Sequence, residues 1–151
     1  MFRTRLGIYI RLRRVVNVTA TGLALTELAH DSKVITANLI GGQAYTLPVA
    51  SGSGTKVHMI VGTTVTSSTT IAVATSADTM TGGAWQMADG GNTVTAFETT
   101  SSSDTITLDG STKGGIKGDS VELTDVAANL WWVRVMGSAT GTEATPFSAA
   151  V

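Results

Sequence analysis

Strand-length runs of Val, Ile, Leu and Thr, parted by Gly and Ser clusters, occupy this chain from about Lys33 to Met136. β-Branched side chains lose rotamer freedom on a helix but pack well on a pleated surface, so such runs restrict the chain to an all-β body. Strands are expected at Lys33–Ile40, Tyr45–Pro48, Lys56–Val61, Thr69–Ala74, Thr93–Glu98, Asp104–Leu108, Ser120–Thr124 and Leu130–Met136. Between them, Gly41-Gly42, Ser51-Gly52-Ser53-Gly54, Gly82-Gly83, Gly90-Gly91 and Lys113-Gly114-Gly115 mark hairpins and loops. Asp109-Gly110 is a turn signal, and Pro48 closes its strand where a missing N–H is tolerated. The spacing predicts an antiparallel β-sandwich or barrel-like domain. LALTELAH, Leu23 to His30, has room for two helical turns.

At 151 residues the chain suits one domain, able to bury roughly two-thirds of its unfolded surface. Charged residues make up 14% of it, against about 25% in an average domain. Such a neutral, hydroxyl-rich surface tolerates burial against neighbouring subunits. The absence of cysteine excludes a disulfide framework and thiolate metal sites. No apolar run approaches the roughly 18 residues of a membrane span, so no membrane partner is expected.

Charge divides the chain in two. Arg3, Arg5, Arg11, Arg13 and Arg14 are five of the ten basic residues and fall in the first fourteen positions, which hold no acid. Residues 1–18 read as an extended basic N-terminal arm and residues 19–151 as the β-rich domain. With period two, Leu6, Ile8, Ile10 and Leu12 share one face of the arm, and Arg3, Arg5, Tyr9, Arg11 and Arg13 the other. The apolar face would dock while the arginines meet something anionic. The same pattern suits a solvated edge strand kept from aggregating by its arginines.

Residue types that perform chemistry are scarce. A hydrolytic triad needs a histidine between a nucleophile and a carboxylate, and the chain has only His30 and His58. His30 abuts Asp31 and Ser32, too close in sequence for converging side chains, and reads as a surface histidine near a turn. Alternation sets His58 on the face opposite Val57, Met59 and Val61. Two histidines without cysteine cannot furnish the usual zinc site. Asp104, Asp109, Asp119, Glu122 and Asp125 cluster in sequence but lack the spacing of a calcium loop. Gly52-Ser53-Gly54-Thr55-Lys56 lacks the Gly-Lys-Ser/Thr order of a phosphate loop. No catalytic, cofactor or metal site is expected, and the body shows no interleaving of bases and aromatics for specific nucleic-acid binding.

The aromatics are the remaining candidates. Trp131 and Trp132 are consecutive, so on a strand one faces the core and the other faces outward. Trp85, in a Gly-flanked stretch read as a loop, Trp131, and Phe147, the bulky anchor of a tail from Gly137 to Val151 that runs over the surface or across a neighbour, are candidate contacts for a partner. The other reading of each tryptophan is a ring resting under a loop of its own domain.

Three segments, Tyr45-Thr46-Leu47-Pro48-Val49-Ala50-Ser51-Gly52-Ser53-Gly54, Ile60-Val61-Gly62-Thr63-Thr64-Val65-Thr66-Ser67 and Ser76-Ala77-Asp78-Thr79-Met80, resemble a run seen in structural proteins of tailed bacteriophages, particularly small capsid decoration proteins. Gly114-Gly115-Ile116-Lys117-Gly118-Asp119, Trp132-Val133 and Thr145-Pro146-Phe147-Ser148 resemble the same family's C-terminal half. Together the likeness spans roughly residues 23 to 151 and leaves out the Arg-rich start. It implies a head cement protein without enzymatic activity. Such a protein sits on the outer capsid surface of the virion, often as a homotrimer, and reinforces contacts between major capsid protein subunits. The five arginines would then form a capsid-docking arm. The alternative is a receptor- or glycan-binding module of a head fibre or tail fibre, with Trp85 or Trp131 stacking on sugars.

Overall fold

The computed structural model describes residues 15–151; the five arginines of the basic segment lie outside them. Twelve strands and one short helix follow in the order β1 (Val15–Val18), β2 (Gly22–Ala24), α1 (Glu27–His30), β3 (Lys33–Ala37), β4 (Ala44–Thr46), β5 (Lys56–Val61), β6 (Thr69–Ala72), β7 (Thr79–Met87), β8 (Val94–Glu98), β9 (Thr105–Leu108), β10 (Ser120–Ala127), β11 (Leu130–Ser138) and β12 (Phe147–Ser148). Seven form one sheet in the order β1-β3-β5-β10-β11-β7-β8, and five form a second, β12-β9-β6-β4-β2. Packed together they make the expected all-β sandwich.

Alternation builds the core. One inward row, Val16, Ile35, Met59, Val121, Val135, Ala84 and Phe97, crosses all seven strands of the first sheet in register. The row Leu23, Tyr45, Ile71, Ile106 and Phe147 crosses all five strands of the second. Both rows belong to one buried cluster, closed off by Trp131, Leu47 and Leu108. A one-residue slip in any strand would turn its member of the row to solvent, so the pattern fixes the register.

The pairing is mixed rather than wholly antiparallel. In the first half, successive strands alternate between the sheets, so β1, β3 and β5 run parallel in one and β2, β4 and β6 run parallel in the other. Each crossover passes through the opposite sheet, which supplies the return connection that a parallel pair otherwise obtains from a helix. Hairpins begin only with β7–β8, and β11 then joins β7 in parallel.

All eight expected strands are present: β5 matches to the residue, β3, β6, β8 and β9 are one to three residues shorter, β4 starts one residue earlier and ends two earlier, and β10 and β11 run three and two residues longer. Val15–Val18, counted with the arm in the sequence, form β1, and Val18 is buried. The Leu23–His30 segment is divided between β2 and the single turn of α1. The largest departure is β7. Gly82-Gly83 lies within this nine-residue strand rather than in a loop, and Trp85 stands on the strand.

Candidate functional site

Two features of the surface stand out: one pole of the sandwich and one lateral stretch of its larger sheet. The pole is where β1, β3 and β5 begin and β10 ends, because Val15 pairs with Val34, Lys33 with Val57, and Lys56 with Thr124. β10 carries a bulge between Asp125 and Ala127, opposite β11. Bulges re-aim side chains, and this one leaves Asp125 buried beneath the Ser51–Ser53 loop. Its carboxylate accepts from the N–H groups of Ser51, Gly52 and Ser53 at 2.8–3.2 Å and from the hydroxyls of Ser51 and Ser53. Burial alone would raise this acid; the Ser53, Ser51 and Gly52 N–H bonds outweigh it and bring the pKa down to about 2.

Beside that loop, α1 is capped locally. The Thr26 hydroxyl accepts from Ala29 N, while Thr26 N donates to His30 Nδ1 at 2.9 Å. His30 is therefore a buried capping group, not the surface histidine expected from its position. Asp31 accepts from Lys56 N and ties the helix to β5. The helix leaves Leu28 97% exposed, and Val49 and Val126 are exposed on the adjoining loop and bulge. Three apolar side chains thus project from this pole, one each on α1, on the loop before β5 and on the β10 bulge.

The second feature lies on the outer face of the larger sheet. Trp132, Arg134 and Met136 point outward from β11; Thr81, Gly83, Trp85 and Met87 do so from β7. Alternation does separate the tandem tryptophans, in the sense opposite to the contact assigned to Trp131. Trp131 is fully buried among its own core residues and Trp132 is the outward member. Phe147 is likewise buried, on β12 against Ile106 of β9, so it anchors the tail to its own sandwich rather than to a partner. Trp85 alone of the three expected contacts is exposed. Its indole lies back over Gly83, with Cη2 3.3 Å from where a Cβ on that glycine would stand. Trp132 and Leu28 were not singled out; period-two reading from the buried Val133 and Val135 identifies the first, and no local signal marks the second.

The clustered acids serve separate local tasks. Asp104 accepts from Ala150 N and Val151 N, Asp109 from Ser111 N and Lys113 N, and Asp119 from Gly115, Ile116 and Ser138 N. Burial raises and backbone bonds lower the first two, with a net fall; for Asp119 burial prevails and its carboxyl is pushed up. Glu122 is bound to Arg134 at 2.7 Å. Among the described residues no three His, Asp or Glu side chains gather closely enough to hold a metal ion, and no helix is long and apolar enough to cross a membrane. His58 lies beside Glu122 on the outer face, opposite Val57 and Met59 as alternation requires. Comparison with protein-family models, with curated proteins and with solved structures gives no match to this chain.

Proposed function

We propose that this protein is a virion structural component that binds the outer surface of an assembled phage capsid, with the α1 pole and residues 1–14 as its capsid-facing end. The observation that carries the reading is the entry point of β1. The basic segment joins the sandwich at Val15, on the same pole that exposes Leu28, Val49 and Val126. Arginines preceding Val15 and apolar side chains on stapled loops then address one partner together: the first by charge, the second by burial.

The resemblance to decoration proteins supplies the lattice, and the charge distribution suits it. Five bases lie in the first fourteen positions and all eleven acids after them, so residues 15–151 carry a formal charge of −6. An acidic capsid surface would repel that body and attract the segment, which orients the molecule as it approaches. Copies associated as homotrimers on the major capsid protein would multiply modest single contacts through avidity. Loops pinned by Asp125 lose little freedom on docking, which lowers the ordering cost of each contact.

Co-sedimentation with undecorated heads tests this. The full chain should coat them, and a chain lacking residues 1–14 should not, while keeping its folded sandwich. Leu28→Asp combined with Val49→Asp should lower occupancy at least tenfold. Undiminished coating by both variants would overturn the reading.

A further inference from the structure

We infer that the depression between Trp85 and Trp132 is a binding site for a neutral carbohydrate, on the lateral side of the larger sheet away from β1. It measures about 430 Å³ and is lined by Gly82, Gly83, Trp85, Ala96, Glu98 and Trp132, among others. The inference does not rest on the capsid reading. The strands that carry Trp132 and Trp85 lie four and five strand spacings from β1, roughly 19–24 Å at the usual inter-strand distance, so both surfaces can be engaged at once.

Its construction favours stacking. Trp132 stands opposite Thr81, and Trp85 opposite Met136, on neighbouring parallel strands. The two tryptophans are thus four residues apart along the strand direction, about 13 Å. Trp85 shortens that interval by lying down over Gly83. The tip of its ring, Cη2 and Cζ3, comes within 3.3 and 3.6 Å of where a Cβ on Gly83 would stand, and the residue remains 40% exposed; Trp132 is 37% exposed. Two exposed aromatic side chains beside the small residues Gly82, Gly83 and Ala96 match the flat C–H faces of pyranose rings. Hydroxyl-bearing neighbours flank Trp132 on both sides, Thr124 on β10 and Thr81 on β7.

Charge selects the ligand class. Glu98 pairs in register with Gly83, at the depression, and its carboxylate has no hydrogen-bond or ionic partner among the described residues. It is free to accept from sugar hydroxyls. The nearest base on this face, Arg134, is bound to Glu122. A polyanion such as single-stranded nucleic acid would also stack on tryptophan, but here it would meet an uncompensated carboxylate and a body of charge −6. A cation is also drawn to an indole face, but it makes no use of the hydroxyls of Thr81 and Thr124 beside Trp132, which a sugar can engage. A neutral polyhydroxylated ligand satisfies the stacking faces and the acceptor together.

The test is an array of neutral and charged glycans probed with the full chain, followed by titration of a retained neutral oligosaccharide monitored by tryptophan fluorescence. Selective retention of neutral glycans is expected. Trp132→Ala and Glu98→Ala should each weaken binding about tenfold, the loss of one stacking or hydrogen-bonding group. Trp132 is outward-facing, so its variant keeps its melting temperature and the test survives any misfolding of Trp85→Ala. Leu28→Asp should leave glycan retention unchanged. Absence of any retained neutral glycan, retention unaffected by Trp132→Ala, or preference for a cationic peptide or a polyanion would each overturn the assignment.

Discussion

The carboxylate of Asp125 holds Ser53, 72 residues earlier in the chain, by its backbone N–H at 2.9 Å and its hydroxyl at 2.8 Å. This contact joins the end of β10 to the loop between β4 and β5, beside the isolated bridge between Ser51 and Ala128 and the backbone bonds from Gly54 N to Asp125 O and from Asp125 N to Thr55 O. Asp125 is therefore the main side-chain tie of the Ser51–Ser53 loop, while Asp31 holds α1 to β5 and Asp78 accepts from Ala50 N.

Asp125 should accordingly control part of the acid limb of stability. Its folded pKa, about 2, lies below the ordinary 3.8. The contribution is complete above about pH 4 and is lost as pH falls from the ordinary value through the folded one, with a size on the order of 2 kcal/mol. Asp125→Asn should be less stable by about that amount at pH 7, and the gap should close below pH 2. Asp119, whose folded value is raised, acts in the opposite sense and gains stability as pH falls through that value towards 3.8. Urea unfolding of both chains between pH 7 and pH 2 provides the check; parallel curves across the range would exclude the role.

Gln86 offers a gain. It is fully buried on β7, between Gly137 and Thr95 in register, and neither polar atom of its amide has a protein partner. An unpaired buried amide costs about 1–3 kcal/mol, and an apolar side chain of the same length avoids that cost. Gln86→Met should raise the melting temperature by about 2–4 °C for each kcal/mol recovered. A lowered melting temperature in calorimetry would show that the amide is satisfied in solution.

Gly82 should tolerate no side chain. Its φ is 144°, and a Cβ there would stand 1.9 Å from the carbonyl oxygen of Val133 on the neighbouring strand. Backbone must move to admit it, so Gly82→Ala should cost more than about 2 kcal/mol. At Gly83 the nearest backbone atom is 3.1 Å away and the next neighbour is the tip of the Trp85 ring. Gly83→Ala should therefore cost less and displace the indole, visible as a change in near-ultraviolet circular dichroism.

These two glycines also explain where the sequence misleads. A glycine pair between polar residues is an ordinary loop signal, and Thr79–Met87 has only Met80 and Ala84 as inward apolar residues, too few to show alternation. Close approach of β11 to Gly82, and the cover that Trp85 gives Gly83, are tertiary facts without a local signature. Lys56–Val61 was legible to the residue because Val57, Met59 and Val61 all face the core. The parallel pairing of β1, β3 and β5 was hidden for another reason. Hairpin turns announce antiparallel neighbours, whereas a crossover through the opposite sheet leaves no mark in either strand. The outward sense of Trp132 is legible by alternation, since Trp131 shares a face with Val133 and Val135 and Trp132 shares one with Arg134.

The tandem tryptophans should separate cleanly in experiment. Trp131 is wholly buried against the core, with an indole N–H that finds no protein partner, so its packing outweighs one unmade hydrogen bond. Removing it should cost about 3–5 kcal/mol, the usual range for a large aromatic taken from a core. Trp132 faces outward between Thr124 and Thr81, and its loss should change stability by less than about 1 kcal/mol. Acrylamide quenching of the intact protein should reach Trp85 and Trp132 and spare Trp131. In Trp132→Ala the shielded fraction of the emission should rise, because the remaining fluorophores are one exposed and one buried ring. Equal quenching of the two proteins would mean that the outward indole is covered in solution.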